Sequence, residues 1–466
     1  MSDTDDRPNV VLVTTDQHRA SAAGYADDEP VLTPNLDRLA GEGTSFDRAY
    51  ANCPLCAPSR ASIQTGRYPS EAGVRDNGDR LDDNAATLGE VFSAAGYRTG
   101  FVGKWHLSGG PENYGTGGGD FSEHVRSRGY DRAVVPEAAH AYFDVDHLVD
   151  GERVETSGYA PTVQTDHALE FLRESGDAPA CLVVSYGPPH NPYEQVPAEF
   201  RERYDPEEVP LRPNVEPILP YASDHPEPVP LWAPPASVGV DRVDLDVSEK
   251  TYIDPREGLA DYYAQISAVD HEIGRLLDGL DKFGMTDDTL VVYTADHGDQ
   301  LWSQGHTQKG VPYEESIHVP LLARWPGEVP AGRRTEVMAS LVDLAPTLWG
   351  LADIDSPDET AGEDLSPLVS GETDEGRDVV PLLSDAADWH GVRTDRYTYA
   401  RTTSEALSHL PNGGWLLFDN ADDPYQLRNR LYDPAYRTTR TDCERRVETF
   451  LERTRDSFDV EPTEGV

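Results

Sequence analysis

The stretch Asn9–Thr15 (NVVLVTT) is a nearly unbroken run of β-branched and apolar residues, and Asp16 follows it at once. Such a run is typical of a strand that is buried on both faces of a parallel sheet. The same pattern recurs in four later segments, at residues 97–102, 181–186, 289–294 and 319–323. Apolar residues in helical spacing occupy residues 88–95 and 259–280, and a glycine follows each segment. Strands that alternate with helices predict an α/β sheet.

Residues of acid, base and metal-ligand type follow these predicted strands: Asp16, Lys104, His106, His190, Asp296 and His297. Ligands of open α/β sheets bind outside the carboxyl ends of the strands, so the convergence of these residues there indicates a functional site. A single Asp after a strand is more often a turn residue or helix cap. Two insertions, residues 108–120 and 205–255, are predicted to be long surface loops that shape a substrate pocket.

The charge balance excludes one class of protein. The chain has 466 residues, with 85 Asp plus Glu against 39 Lys plus Arg and a formal net charge of −46. A nucleic-acid binder that works through a basic face needs clustered positive charge, so no nucleic-acid partner is expected. Only four of the cations are lysines, and an acidic, lysine-poor surface favours a halophilic protein over an acidic protein of ordinary habitat.

Cellular location and domain organisation are predicted from the remaining patterns. There is no run of 18 apolar residues and no apolar segment near Met1, so a cytoplasmic protein with no membrane partner is expected. Four scattered cysteines are too few for a disulfide framework. Short strands at 390–401 and 415–418, followed by a helix at 441–454, predict a small α+β domain. The predicted domains are residues 1–375 and 376–466.

The most specific motif lies at residues 53–67 (CPLCAPSRASIQTGR). Cys56-Ala-Pro-Ser-Arg60, with Thr65-Gly66 behind it, resembles the maturation signature of the formylglycine-dependent sulfatases of the alkaline phosphatase superfamily. In that family the cysteine is oxidised to an aldehyde, and the aldehyde hydrate attacks sulfur. The alternative is that Cys53 and Cys56 form a C-x-x-C redox or metal pair. No second C-x-x-C is present to complete a four-thiolate zinc site.

Further segments similar to this family follow in order along most of the chain, at residues 10–17, 103–106 (GKWH), 189–192 (PHNP), 294–299 (TADHGD), 305–309 (GHTQK), 313–316, 319–322, 392–397 and 417–424. The resemblance implies a large mixed, mostly parallel sheet flanked by helices. It also implies that the small C-terminal α+β domain completes the site.

The resemblance implies a metal site and a catalytic set. The implied metal ligands are Asp16, Gln17, Cys56, Asp296 and His297, and the implied catalytic residues are Cys56, Arg60, Lys104, His106, His190 and Lys309. Many family members have Asp in place of Gln17 and Asn or Gln in place of His297. An amide oxygen still suits calcium, whereas an imidazole suits manganese or zinc better. One Ca²⁺ is therefore the expected cation, with Mn²⁺ as the alternative.

By resemblance, His190 with Lys309 protonates the leaving alcohol, and His106 takes a proton from the second hydroxyl of the hydrate so that sulfate is expelled. Two of the four lysines fall inside the motifs, where an ammonium can hold a sulfate oxygen, although chance placement is the alternative. Each histidine could instead be a structural hydrogen-bonding group. Asn77 is predicted to be a turn residue or a substrate contact, and His306 stays open.

The predicted function is hydrolysis of a sulfate monoester, with a sulfated small molecule or sulfated glycan fragment as substrate and a formylglycine-generating enzyme as maturation partner. A phosphonate monoester or phosphodiester hydrolase of the same superfamily is the nearest alternative. A non-catalytic sulfated-glycan binding protein is the other, but it is expected to lack some of Cys56, Arg60, Lys104 and His190, and all four are present. The alcohol part of the substrate stays open.

Overall fold

The computed structural model describes residues 7–110, 120–137, 140–176, 178–215, 254–402 and 415–454. Within these residues the strands are β1 (Asn9–Thr15), β2 (Thr44–Phe46), β3 (Ala49–Tyr50), β4 (Arg98–Gly103), β5 (Arg132–Pro136), β6 (His147–Val149), β7 (Glu152–Val154), β8 (Ala180–Tyr186), β9 (Thr289–Ala295), β10 (His318–Val319), β11 (Leu321–Arg324), β12 (Arg333–Thr335), β13 (Ala339–Ser340), β14 (Val379–Ser384), β15 (Trp389–Thr394), β16 (Tyr397–Thr402) and β17 (Leu416–Asp419).

The α-helices in the same residues are α1 (Pro34–Gly41), α2 (Cys56–Thr65), α3 (Leu88–Ala94), α4 (Asp120–Ser127), α5 (Ala160–Ser175), α6 (Ala198–Arg201), α7 (Pro255–Phe283), α8 (Glu314–Ile317), α9 (Leu344–Leu351), α10 (Ser366–Val369) and α11 (Arg437–Thr454). The middle of each predicted surface loop, at 111–119 and 216–253, lies outside the described residues. None of the described helices is both long enough and apolar enough to span a bilayer.

A ten-stranded sheet forms the centre of the molecule, in the order β12-β2-β11-β9-β1-β8-β4-β5-β6-β7. The strands β9, β1, β8, β4 and β5 run parallel to one another, and antiparallel pairs lie on both sides of this group. The prediction of an α/β fold with a mixed, mostly parallel sheet is confirmed. Because β1 lies between β8 and β9, the predicted strand ends at Asp16, His190 and Asp296 belong to adjacent strands.

Both faces of this sheet are covered by helices. Val10 and Leu12 pack on one face, in a cluster that includes residues of α2, α3 and α9. Val11 and Val13 point to the opposite face, where α1, α5 and α7 contribute their apolar sides. A strand that is buried on both faces needs apolar residues at successive positions, which explains the continuous apolar run of β1.

The fifth predicted strand, at residues 319–323, differs from the prediction. It is divided into β10, which pairs with β3 in a small three-stranded sheet, and β11, which runs antiparallel to β9. Pro320 lies at the division, and proline has no N–H to continue a ladder. The apolar pattern therefore located the buried segment but did not reveal its direction or its change of sheet.

The C-terminal part contains a four-stranded antiparallel sheet, β14-β15-β16-β17, with α11 packed against it. The predicted α+β character is confirmed, although β14 was not predicted and α11 begins at Arg437, earlier than expected. Trp389 Nε1 donates to Gly310 O at 2.8 Å, so this sheet is tied to the segment that carries Lys309. The domain boundary between residues 375 and 376 stays a prediction.

Candidate active site

The candidate site lies at the carboxyl ends of four adjacent strands, β9, β1, β8 and β4. Backbone hydrogen bonds between neighbouring strands continue past the strand ends. They run from Asp16 N to Tyr186 O (3.2 Å), from Asp296 N to Thr15 O (3.1 Å) and from Lys104 N to Ser185 O (2.8 Å). The residues that follow the strands are therefore held by the sheet itself. This rigid support brings the predicted strand-end residues to one place.

Gly103 allows a close approach of two strands at this edge. Its φ is +109°, and a Cβ on it would lie 2.0 Å from Ser185 O. Only glycine adopts this conformation without strain and leaves room for the neighbouring backbone. Gly103 therefore brings the end of β4, and Lys104 with it, against β8.

Cys56 is the first residue of α2, a helix whose residues are all buried. The carboxamide oxygen of Asn77 accepts from Ala57 N at 3.0 Å, and Ser59 Oγ donates to Asp296 O at 2.5 Å. Asn77 thus binds a backbone N–H in the first turn of the helix, which no other residue of the helix can satisfy. These contacts fix the start of α2, and with it Cys56, against the carboxyl end of β9.

Four possible metal ligands lie together here, and the Cys56 thiol is one of them. One donor atom each from Asp16, Cys56, Asp296 and His297 lies within 4.8 Å of the other three, and all four residues are buried. Cys56 Sγ is 3.3 Å from His297 Nε2 and 3.7 Å from Asp16 Oδ1. Two carboxylates, an imidazole and a cysteine sulfur this close together, away from solvent, are typical of a cation site.

The His297 ring is oriented for coordination. Its Nδ1 lies 2.9 Å from the carbonyl oxygen of Gly298, and a carbonyl only accepts, so Nδ1 carries a proton. In the neutral ring Nε2 then holds the lone pair, and it faces Cys56 and both carboxylates. A backbone carbonyl that fixes the tautomer in this way is common for metal-binding histidines.

Gln17 lies beside the cluster with its amide oxygen turned towards Lys309, whose Nζ donates to Oε1 at 2.7 Å. The amide nitrogen donates to Asp299 Oδ2 at 2.6 Å. Gln17 has a φ of 72°, a left-handed conformation that is uncommon for a residue with a side chain. The backbone N–H of Gln17 donates to Asp296 Oδ1 at 3.0 Å, which links it directly to the four donors.

Three cationic side chains surround the two carboxylates. Lys104 Nζ pairs with Asp16 Oδ2, and Arg60 NH2 lies 2.8 Å from Asp296 Oδ2 and 3.3 Å from Asp16 Oδ2. Arg60 NH1 also donates to Lys104 O, at 2.8 Å. With Lys309, the cations outnumber these carboxylates by one, so the site favours an anionic ligand even before a metal is added.

The same charges act on the Cys56 thiol. Burial and the Asp16 carboxylate raise its pKa, but Lys104 and Lys309, with His297 in its protonated form, outweigh them and the pKa falls to about 6. By contrast, burial and nearby carboxylates raise the pKa of Cys53 well above its ordinary value. The surroundings therefore stabilise negative charge at position 56 and not at position 53. No disulfide joins the two cysteines.

His106 and His190 both lie in the site and both are held neutral. Burial lowers the pKa of each ring well below its ordinary value, with Lys104 adding to the effect at His106 and Lys309 at His190. His190 Nδ1 lies 2.6 Å from the carbonyl oxygen of Asn191, so Nδ1 is a donor and Nε2 of the neutral ring holds the lone pair.

The sequence did not reveal three residues that contact this group. Asp299 and Tyr193 hold the Gln17 amide, and His140 stacks on His190. Asp299 falls inside the recognised segment 294–299, which is the only signal that could have pointed to it. His140 lies in a segment between β5 and β6 that has no regular secondary structure and no recognisable sequence motif. The sequence left the role of His306 undecided; the centroid of its ring lies 6.0 Å from that of the Tyr313 ring.

Comparison with known proteins identifies the family. A family model described as sulfatase matches residues 8–354, most of the chain. The chain belongs to the sulfatase family. A second model, described as the C-terminal part of N-sulphoglucosamine sulphohydrolase, matches residues 303–453 of this sulfatase. Members of the family are sulfuric ester hydrolases, so the expected enzyme class is confirmed.

Two curated relatives and one solved structure illustrate the similarity. This sulfatase is 33% identical to an ulvan-active sulfatase of Formosa agariphila, over 97% of this chain and 82% of the relative. It is 28% identical to an N-acetylglucosamine-6-O-sulfatase of Bacteroides thetaiotaomicron, over 91% and 82%. A structure solved with its substrate, D-glucosamine-2-N,6-O-disulfate, superposes with a TM-score of 0.79, covering 97% and 99% of the chains at 24% identity.

Proposed function

We propose that this sulfatase hydrolyses a sulfate monoester at a formylglycine formed from Cys56. The observation that carries the proposal is the position of Cys56 Sγ, between the Asp16 carboxylate and the His297 imidazole and within the field of Lys104 and Lys309. A field that stabilises a thiolate there also stabilises a developing oxyanion on the same carbon. The hydrated aldehyde supplies the attacking hydroxyl group. The overall reaction consumes one water and gives an alcohol and sulfate.

One divalent cation is part of the proposal, and the residues present fit it. Asp16, Gln17, Asp296 and His297 offer oxygen and nitrogen donors, and residue 56 completes the set. The fit rests on the four donor atoms that lie within 4.8 Å of one another and on the tautomer of His297. Calcium is the first choice and manganese the alternative. Such a cation supplies positive charge for a sulfate oxygen and lowers the pKa of the attacking hydroxyl.

The substrate sulfate is proposed to bind between Lys104 and Lys309. Both are among only four lysines in the chain, and their ammonium groups contact Asp16 and Gln17, respectively. Arg60 is proposed to act chiefly by holding the two carboxylates, because its guanidinium forms ion pairs with both of them and a hydrogen bond with Lys104 O. Its charge still offsets that of a bound anion.

Two histidines are proposed to move protons. His190 Nε2 takes a proton from the attacking hydroxyl of the hydrate and, helped by Lys309, passes it to the departing alcohol oxygen, because the resting ring is neutral and carries its own proton on Nδ1. His106 accepts a proton from the second hydroxyl of the hydrate while the carbon–oxygen bond to the sulfate group breaks, which releases sulfate and regenerates the aldehyde. The low pKa of His106 leaves its ring neutral and able to accept.

The proposed substrate is a sulfated glycan fragment or a sulfated small molecule. The curated relatives named above carry activities on ulvan and on N-acetylglucosamine 6-sulfate in their names. The residues that contact the alcohol part of the substrate and select it are proposed to come from residues 108–120 and 205–255. In the sequence these segments follow the site residues His106 and His190.

The test of this proposal is peptide mass spectrometry of the protein made with and without a formylglycine-generating enzyme. With the enzyme, the peptide 53–60 should be lighter and aldehyde-reactive at residue 56, because only Cys56 has Pro and Arg at the second and fourth following positions. Activity on aryl, choline and sugar sulfates should appear with the modification. Active protein in which both cysteines remain thiols would disprove the proposal.

A second candidate function is hydrolysis of phosphonate monoesters or phosphodiesters. The observation behind it is the pair Gln17 and His297, because the resemblance implies that phosphonate monoester hydrolases of the superfamily, as well as some sulfatases, share both residues. Lys104 and His106 favour sulfate, because they resemble the sulfatase pair. Rates on matched sulfate, phosphonate and phosphodiester substrates separate the two candidates. A higher kcat/KM on the phosphonate would favour the second.

A further inference from the structure

His140 stacks face to face on His190. The two rings are parallel within 4° and their centroids are 4.3 Å apart. His140 lies between β5 and β6, in a segment for which neither the sequence pattern nor the family motifs indicated a role. A stacked aromatic neighbour restricts the tilt of the ring that it covers.

A second contact ties His140 to the site. His140 Nε2 lies 3.3 Å from Lys104 Nζ. An ammonium group only donates, so Nε2 of His140 holds the lone pair and a neutral ring carries its proton on Nδ1. His140 therefore contacts the proposed proton donor and one of the lysines proposed to bind sulfate.

The segment that carries His140 is fastened to the His190 loop. Tyr142 OH donates to the carbonyl oxygen of His190 itself at 2.8 Å, and Tyr142 N donates to Gln195 Oε1 at 2.8 Å. On the other side, Ala160 N donates to Tyr142 O at 2.8 Å. These bonds fix the backbone two residues from His140, so the stacked ring is presented from a supported position.

His190 needs such support because its own hydrogen bond restrains only one edge of the ring. Nδ1 donates to the carbonyl oxygen of Asn191, and the ring can still pivot about that bond. A pivot would swing Nε2, the atom proposed to deliver the proton. A parallel ring against one face opposes this motion without using either nitrogen of His190.

We infer that His140 is a positioning residue of this active site, which holds the His190 ring in the orientation that delivers a proton to the departing oxygen. The inference rests on the proposed role of His190. Its consequence is specific: loss of the stacked ring should slow substrates with poor leaving groups, which need the proton, far more than substrates with good ones.

Three variants separate the ring from its nitrogen. His140→Ala removes both, His140→Phe keeps a stacked ring without the contact to Lys104, and His140→Gln keeps an acceptor for Lys104 without the ring. For alkyl or sugar sulfates, His140→Ala and His140→Gln should lower kcat/KM about 10- to 100-fold, the usual cost of a misplaced catalytic group. Nitrophenyl sulfate should be affected much less. His140→Phe should keep the wild-type dependence on leaving group.

Two reference variants make the result decisive. His190→Ala should show the steepest dependence on leaving group, and His167→Ala, a histidine of α5 beside Glu170, should show the wild-type dependence. If His190→Ala loses both substrate classes equally, the proposed role of His190 fails and the inference fails with it. If His190→Ala behaves as expected but His140→Ala loses both classes equally, or His140→Phe is no better than His140→Ala, only the role of His140 is overturned.

Discussion

Gln17 Nε2 lies 2.6 Å from Asp299 Oδ2, and this contact decides which end of the Gln17 amide faces the candidate metal site. A carboxylate only accepts, so the amide nitrogen turns to Asp299 and the oxygen turns to Lys309. Tyr193 OH donates to the same carboxylate oxygen. In this chain Gln17 and Asp299 therefore form a matched pair, and an Asp at position 17 would face a second buried carboxylate.

The first prediction tests this pair by exchange of the charge. Gln17→Asp should lower the Tm of the metal-free protein, by an amount equivalent to about 1–3 kcal/mol, because a buried hydrogen bond becomes a carboxylate pair. Gln17→Asp/Asp299→Asn should recover most of the loss, since the amide then lies on the other side. Thermal unfolding followed by circular dichroism measures both. A single variant as stable as the wild type would contradict the matched-pair account.

The second prediction concerns metal removal. A cation that binds the assembled donor set of the folded protein, and not the unfolded chain, stabilises the fold, so chelation should lower the Tm and added Ca²⁺ should restore it. At a free calcium concentration 100 times Kd the stabilisation is about 2.7 kcal/mol. Calorimetric titration gives the affinity directly.

The matched control for metal removal is Asp296→Asn, which keeps the size of the side chain and removes one charge from the donor set. Its Tm should respond weakly to chelation and to calcium. An equal response in this variant and in the wild type would place the stabilising ion elsewhere in the molecule.

Much of the site could be predicted from the sequence because the strands are marked by apolar runs. The runs that end before Asp16, Lys104 and Asp296 fix three strand ends, and parallel strands bring their carboxyl ends to one edge. The motif around Cys56 then identified the helix that faces that edge. For these residues, local pattern and tertiary position agree.

The remaining residues could not be predicted, for physical reasons. His140 reaches His190 through a segment of irregular chain, whose path is set by bonds such as that from Tyr142 OH to the carbonyl oxygen of His190. Asp299 acts through the Gln17 amide, and nothing in the sequence pairs two residues so far apart. The direction of β11 could not be predicted either, because an apolar run looks the same whether its strand lies parallel or antiparallel to its neighbour.

The third prediction follows from the net charge of −46. Like charges on the surface repel in the compact state, and salt screens them, with a Debye length of about 3 Å at 1 M. The Tm should therefore rise from dilute buffer to molar KCl. A neutral osmolyte at matched osmolality serves as the control and should give a smaller rise. A flat or falling Tm in KCl would argue against a halophilic protein and leave the enzymatic assignment untouched.

The last prediction tests the proton donor. His190→Ala should depress turnover of alkyl or sugar sulfates steeply and turnover of nitrophenyl sulfate much less, because an activated phenolate departs without a proton. The gap should be on the order of 10²-fold or more, the usual value of general acid catalysis. This role fits the geometry, since the Nδ1 proton of His190 is held by a carbonyl oxygen and Nε2 is the nitrogen that can take up a proton and pass it on.

Asp296→Ala provides the contrast for His190→Ala. It removes a carboxylate from the donor set, which acts on the sulfate group common to all substrates, so both substrate classes should lose activity alike. The two variants therefore differ in the slope of log kcat/KM against leaving-group pKa, not only in overall activity. If His190→Ala gives the same slope as Asp296→Ala, His190 binds substrate or supports the fold, and the proton must come from another group.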